Sequence, residues 1–388
     1  MKVAYISPIF FTDIDISLLH ELQKKADVYY FILLGPLFRS AAVDIREPIR
    51  ESGVFPASVY PELSRFRGYI DLNKVFVVNR TATHVSSPIN ILTYLKLASI
   101  LRKGHFDIIH ISDFLTYTEL PLLLFRKRMV LSVHDPIPHS SLQSGRVSLQ
   151  RRFLLGRLKH FIIFNSRQKQ EFVKEYGLED KSIAVTHFGP FDYLKGIEQK
   201  PFDIGGPYIL FLGQILSNKG LEYLFPAMKI VHEHHPEVKL MVVGRGRYYF
   251  DISEYRNLPY FVIENRFIPD SELAHMIEGS LFVICPYNDA TQSGVVMSAF
   301  AFNKPVIATN TGGLPEMVRD GEFGYIVPTR DENALAGRIE YLLEHPDERA
   351  EMEKSIAEYY ESGEGSWKSA VNDITNIYEM ISTEKNDR

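Results

Sequence analysis

Cysteine and tryptophan are almost missing from this 388-residue chain, which has one of each, Cys285 and Trp367. A single cysteine excludes an intramolecular disulfide and the disulfide-stapled class of small secreted domains, so a cytosolic compartment is expected. Cys285 lies in the apolar run LFVICPY with nothing nearby to lower its pKa, which predicts a buried structural thiol rather than a nucleophile. No apolar run approaches the ~18 residues needed to span a bilayer. Met1–Ser7 reads as a strand rather than a signal peptide. The first strand, KVAYISPIFF, lacks the GxGxxG of a dinucleotide-binding fold, and there is no Walker lysine motif. His232, His234 and His235 precede Pro236 without the carboxylate or cysteine companions of a metal set, so no metal is assigned.

The length predicts about two domains, and 45% apolar with 23% charged residues is ordinary for a globular protein. The net charge of −5 hides an asymmetry. Residues 1–190 hold 25 Lys and Arg against 17 Asp and Glu, whereas the remainder holds 18 against 31. The first half therefore suits an anionic surface or substrate, and nucleic acid is not expected. Short apolar, β-branched or aromatic runs alternate with helix-period segments throughout. The runs are KVAYIS, DVYYFILL, DIIHIS, MVLSVHD, HFIIFN and SIAVTHFG, then YILFLGQ, VKLMVVG, YFVIENRF, LFVICP, PVIATN and GYIVPT. Near-continuous apolarity predicts parallel strands covered on both faces, hence an α/β fold of two doubly wound, Rossmann-like domains. Phe191–Pro207 is the best linker, which puts residues 1–200 in the first domain and 201–366 in the second. Ligands of such folds bind at the carboxyl ends of the strands, so a cleft between the domains is the expected site.

Thr291–Pro305, TQSGVVMSAFAFNKP, opens a helix directly after a strand through a hydroxyl- and amide-rich turn containing Gly294. The first turn of such a helix offers unpaired N–H groups and the positive end of the dipole, which suit a phosphate. An ordinary strand–turn–helix connection is the other reading. YILFLGQILSNKGLEYLFPAM places Gly213 at a strand end and Lys219 at a helix start. A lysine there opposes the dipole and suits an anionic partner, unless it is a solvated surface side chain. VVGRG adds Gly244 and Arg245, and ATNTGGLPEMV adds Gly312 and Gly313. Three glycine-bearing strand ends and one lysine in the same half point to a nucleotide diphosphate. In the first half, VLSVHDPIPHSS puts His134 and Asp135 at a strand end, where an imidazole suits a sugar hydroxyl or proton transfer. Bonding to the loop backbone is the alternative. Thr12, Asp13 and Asp15 begin the first helix, one as its N-cap and the others as candidates for acceptor contact. Arg151, Arg152, Arg157, Lys159 and His160 surround Phe153 and three leucines, either as a solvated helix face or as a patch on anionic lipid.

With these residues assembled, the chain resembles a glycosyltransferase of the GT-B fold, most similar to retaining family 4 (glycosyl transferases group 1). The resemblance runs over nearly the whole chain and is strongest from Tyr208 to Thr329, with SVHDPIPHS and FNSRQKQEF clear in the first half. It implies a C-terminal domain that binds a nucleotide-diphosphate sugar and an N-terminal domain that binds the acceptor. It also implies a last helix, 367–382, packing back on the first domain. Carried over by residue, it makes Gly213, Gln214, Lys219, Gly244, Arg245, Phe267, Ile268, Thr291, Gln292, Ser293, Gly294, Val295 and Ser298 the donor site. His134 and Lys219 become the catalytic pair, and Thr12, Asp13 and Asp135 the acceptor contacts. The family commonly has arginine where this chain has Gln214, and its paired glutamates fall at Ala290 and Ser298. The implied activity is retaining transfer from a nucleotide sugar to a glycan or lipid-linked acceptor, in surface polysaccharide or glycolipid assembly. It needs neither cofactor nor metal, and it would occur in the cytoplasm with peripheral contact to an anionic membrane. The alternative is a catalytically silent GT-B subunit that binds a partner protein or glycan.

Overall fold

The computed structural model describes residues 1–36, 43, 45, 49–84, 87–113, 117–134, 136, 151–164, 166, 168–290 and 292–386. They divide into two compact units, Met1–Gly189 with Trp367–Arg388, and Pro190–Ser366.

The first unit is built on an eight-stranded sheet. Its strands are β1 (Lys2–Pro8), β2 (Asp27–Leu34), β3 (Gly53–Pro56), β4 (Val75–Asn79), β5 (Ile108–Ser112), β6 (Met129–Val133), β7 (His160–Ile163) and β8 (Ile183–Val185), in the order β3-β4-β2-β1-β5-β6-β7-β8. All neighbours are parallel except β3, which runs antiparallel to β4. The central strands are buried on both faces, which is why β1, β5 and β6 read as apolar runs. The second unit has six parallel strands in the order β11-β10-β9-β12-β13-β14. These are β9 (Tyr208–Leu212), β10 (Lys239–Val243), β11 (Phe261–Glu264), β12 (Val283–Cys285), β13 (Val306–Thr309) and β14 (Gly324–Val327).

Each of the twelve apolar runs falls on a strand. The strands absent from the sequence reading are β3 and β4, an edge pair whose outer member is four residues long and ends in proline. A short edge strand carries too little pattern to be seen alone. Residues 190–200 belong with the second unit rather than the first. Tyr193 and Leu194 are buried, the Phe191 N–H donates to Met297 O at 3.2 Å, and the Lys200 N–H to Ser271 O at 3.0 Å. The start of the segment taken for a linker is therefore anchored in the second unit, while most of 195–207 is exposed.

The last helix, Trp367–Asn386, joins the first unit, with Ala370, Val371, Ile374, Ile377, Tyr378 and Ile381 buried. Thr186 donates to Asp373 Oδ2 at 3.0 Å, and Tyr378 Oη and His110 Nδ1 share a 2.5 Å hydrogen bond. His110 Nε2 meets Ser132 Oγ at 2.7 Å, so both ring nitrogens are satisfied inside the sheet. Burial lowers the His110 pKa to about 3, so the ring is neutral. Tyr378→Phe leaves Nδ1 unpaired in a dry site and should cost about 1–3 kcal/mol in urea-induced unfolding. An unchanged transition would mean that the helix is held by its apolar face alone.

Candidate donor and acceptor sites

In the second unit the carboxyl ends of β9, β10 and β12 crowd together. Gly244 has φ 141°, and a Cβ there would fall within the radius of the Gly213 carbonyl oxygen. Gly220, at φ 68°, abuts the Pro286 carbonyl in the same way. Both positions need glycine because backbone meets backbone. Gly220 lets the helix Leu221–His234 start immediately beyond the short 3₁₀ turn Ser217–Lys219. Lys219 is thereby brought over Tyr287, its ammonium 3.7 Å from the ring centroid. Tyr287 is fully buried and accepts at its carbonyl from Thr309 Oγ1 at 2.5 Å. Ser293 Oγ donates to Tyr287 Oη at 3.5 Å and caps the helix Gly294–Ala301 by accepting from the Val296 N–H. A Cβ on Gly213 would stand 3.7 Å from Val295 Cγ2.

The structure thus brings together Gly213, Gly244, Lys219, Ser293, Gly294 and Val295. Among the described residues Lys219 has no acidic or hydrogen-bonding partner, and burial lowers its pKa. The Lys219 ammonium, half withdrawn from water, is linked through the Tyr287 ring to Ser293, the N-cap of the helix Gly294–Ala301. Gln214 and Arg245 are exposed, Gln292 and Phe267 are half-buried, and Ile268 is buried just beyond β11. Thr291 lies outside the described residues. Ser298 is buried and donates to Gly294 O at 2.9 Å, so its hydroxyl is engaged by its own helix. A Cβ on Gly294 would meet the Phe191 ring at 3.1 Å, so a side chain there presses on packing rather than filling anion space. The Cys285 thiol is fully buried, and burial pushes its pKa up to about 11.

In the first unit His134 follows β6 and lies inside an aromatic stack. Its ring centroid is 3.8 Å from that of Phe11, 5.0 Å from Phe164 and 5.6 Å from Phe188, all within 20° of parallel. Nε2 shares a 2.7 Å hydrogen bond with Ser112 Oγ, whereas the buried Nδ1 has no partner among the described residues. Burial lowers its pKa to about 3, so His134 is a neutral imidazole. Behind it, Tyr5 and Tyr30 donate to Asp15 at 2.8 and 3.0 Å. Burial raises the Asp15 pKa to about 7, against these hydrogen bonds. Ser112, Tyr287 and the three phenylalanines escape a sequence reading because they come from separate strands and loops.

Of the three residues expected to contact the acceptor, two make local hydrogen bonds and one lies outside the described residues. Thr12 is fully buried and donates to Ile9 O at 2.6 Å, so its hydroxyl is consumed by the turn that starts the helix Thr12–Leu22. Asp13 Oδ1 accepts from the Ile14 N–H at 3.0 Å, and Asp135 lies outside the described residues. In the basic segment at 151–160 Arg151 is buried and Leu154, Leu155 and Leu158 are core, whereas Phe153, Arg152, Arg157 and Lys159 are exposed. Arg152 donates to Glu175, and the Arg157 guanidinium stacks on Phe153.

Each unit matches a family model, residues 47–189 that of Glycosyltransferase Family 4 and residues 194–359 that of Glycosyl transferases group 1. In solved structures, Anabaena Alr3699/HepE in complex with UDP superposes with a TM-score of 0.66 at 15% identity, covering 99% of this chain and 100% of that one. The fold is GT-B. An uncharacterized glycosyltransferase of Methanocaldococcus jannaschii, MJ1178, is 28% identical over 45% of this chain. A GDP-mannose-dependent phosphatidylinositol monomannoside mannosyltransferase of Mycolicibacterium smegmatis is 27% identical over 58% of it. The matches span 48% and 63% of those two proteins. Within the GT-B frame, Lys219 and the Gly294–Ala301 helix belong to the second unit and His134 to the first.

The neutral His134 carries a pH signature. Its folded pKa is below the ordinary histidine value, so its contribution to stability is present above about pH 6.5 and is lost as pH falls. Relative to His134→Phe, the wild type should lose up to about 1.4 kcal/mol per pH unit between pH 6 and 4 in urea titrations. Parallel stability curves would show that the ring is protonated in the fold.

Proposed function

We propose that this chain is a nucleotide-sugar-dependent glycosyltransferase, with its donor site in the second unit and acceptor chemistry at His134 in the first. The observation that carries the reading is the Lys219 ammonium, unpaired among the described residues, on the Tyr287 ring, whose hydroxyl meets Ser293, the N-cap of Gly294–Ala301. Lys219 and the first-turn N–H groups would neutralise the leaving diphosphate, which accelerates transfer by stabilising charge that develops in the transition state. Gly213 and Gly244 would admit the phosphates to the backbone, Phe267 and Ile268 would flank the base, and no metal would be needed. His134 Nδ1, buried and unpaired, would hold a hydroxyl of the transferred sugar or acceptor. Retention of anomeric configuration and a glycan or lipid-linked acceptor in surface polysaccharide or glycolipid assembly, at the cytoplasmic side of the membrane, complete the reading. Complexes of Anabaena Alr3699/HepE with UDP and with UDP-glucose support a nucleotide-sugar donor for this fold.

One observation favours a second reading, a silent subunit that binds a partner protein or glycan. Ala290 supplies no carboxylate and the Ser298 hydroxyl is engaged by Gly294 O, so the positions of the family's glutamates offer nothing to a sugar or ribose.

Lys219→Ala should weaken binding of the tightest of UDP, GDP and ADP by about 1.5–3 kcal/mol in titration calorimetry, with the melting temperature nearly unchanged. Equal affinity in the variant, or no binding to the wild type, would overturn the donor site. His134→Ala should lower turnover about tenfold or more while nucleotide affinity stays within about twofold. Wild-type turnover in the variant would remove His134 from the reaction, and a wild type inactive across donors and acceptors would leave the silent subunit.

A further inference from the structure

The helix Pro88–Lys103 has two apolar faces. Tyr94, Leu97, Ala98 and Leu101 pack into the first unit's core. On the outer face Ile91, Leu92 and Leu95 are 39, 63 and 48% exposed, and Ile89 at the helix start is 44% exposed. The adjoining segment Tyr117–Arg128 repeats the pattern: Leu122 and Phe125 are core, while Leu120 and Leu124 are 36 and 78% exposed. Tyr94 donates to Glu119 Oε1 at 2.7 Å and holds the two segments together. These six side chains are nearly half of the large exposed hydrophobics among the described residues. A cluster of this kind marks a contact surface.

Charge identifies the occupant. The helix has no acidic residue, and the one acid of the second segment, Glu119, is buried. The exposed charges on both elements are Lys96, Arg102, Lys103, Arg126 and Lys127, all positive, and none forms an ion pair among the described residues. Aliphatic side chains flanked by unneutralised cations match the boundary of an anionic bilayer. There leucines enter the acyl region while lysine and arginine reach the phosphates. We propose that this face of the first unit, centred on Leu92 and Leu124, docks onto an anionic lipid surface. The inference is independent of the sugar-transfer reading and replaces residues 151–160 as the site of lipid contact.

Sedimentation with vesicles tests it, comparing phosphatidylcholine alone with equal parts phosphatidylcholine and phosphatidylglycerol, at low and high salt. The wild type should bind only the anionic vesicles and release with salt. The double variant Leu92→Ser, Leu124→Ser should lower partitioning about tenfold or more, with a wild-type circular-dichroism melt because both side chains are exposed. Lys96→Gln with Lys127→Gln should weaken binding and flatten its salt dependence, whereas Arg152→Gln with Arg157→Gln should leave it unchanged. Wild-type partitioning by the leucine variant, or no wild-type binding at low salt, would overturn the proposal. So would lipid-free self-association that the leucine variant abolishes, since the face would then join two copies of the chain.

Discussion

The second unit depends on backbone touching backbone at the carboxyl ends of its strands. Gly244 lies against the Gly213 carbonyl and Gly220 against that of Pro286, and neither contact leaves room for a methyl group. Parallel strands about 4.8 Å apart would ordinarily send their connecting loops outward over bulky side chains. With glycine at these corners the loops fold flat, and the 3₁₀ turn carrying Lys219 descends onto Tyr287. Val295 lies beside Gly213, and Ser293 meets the Tyr287 hydroxyl. The proposed diphosphate site would need few charges, because oriented N–H groups and one partly desolvated ammonium would act together.

The first unit solves a different problem, that of keeping polar groups inside a sheet covered on both faces. His110, Ser132 and Tyr378 close one hydrogen-bonded chain, and Asp15 with Tyr5 and Tyr30 closes another. In His134 one ring nitrogen is paired with Ser112 and the other has no partner among the described residues. A buried polar atom without a partner costs free energy. The aromatic rings of Phe11, Phe164 and Phe188 keep the imidazole dry and neutral, fit to exchange a hydrogen bond rather than to supply charge.

The division of charge along the chain is consistent with this separation of tasks. The basic excess of residues 1–190 includes cations that the fold consumes, such as Arg151 buried near Tyr176 and Arg152 bonded to Glu175. Others remain unpaired around the leucines of Pro88–Lys103 and Tyr117–Arg128. Net charge alone does not separate the two groups, because local burial decides which cations remain available.

The parallel strands, the glycine corners and the position of Lys219 just before a helix were legible in the linear pattern. Strand burial imposes continuous apolarity, and sharp turns impose glycine, wherever the segments end up. The edge strand β3 and its neighbour β4 were not legible in the linear pattern. Nor was the fate of Thr12, whose hydroxyl the 3₁₀ turn before its helix consumes, nor of the leucines at 154, 155 and 158, which one helical rotation turns inward. The platform under Lys219 and the stack around His134 join residues distant in the chain, and only the tertiary structure brings those rings into contact. Sequence determines which chemistries are present at each corner; packing decides which of their polar atoms find a partner.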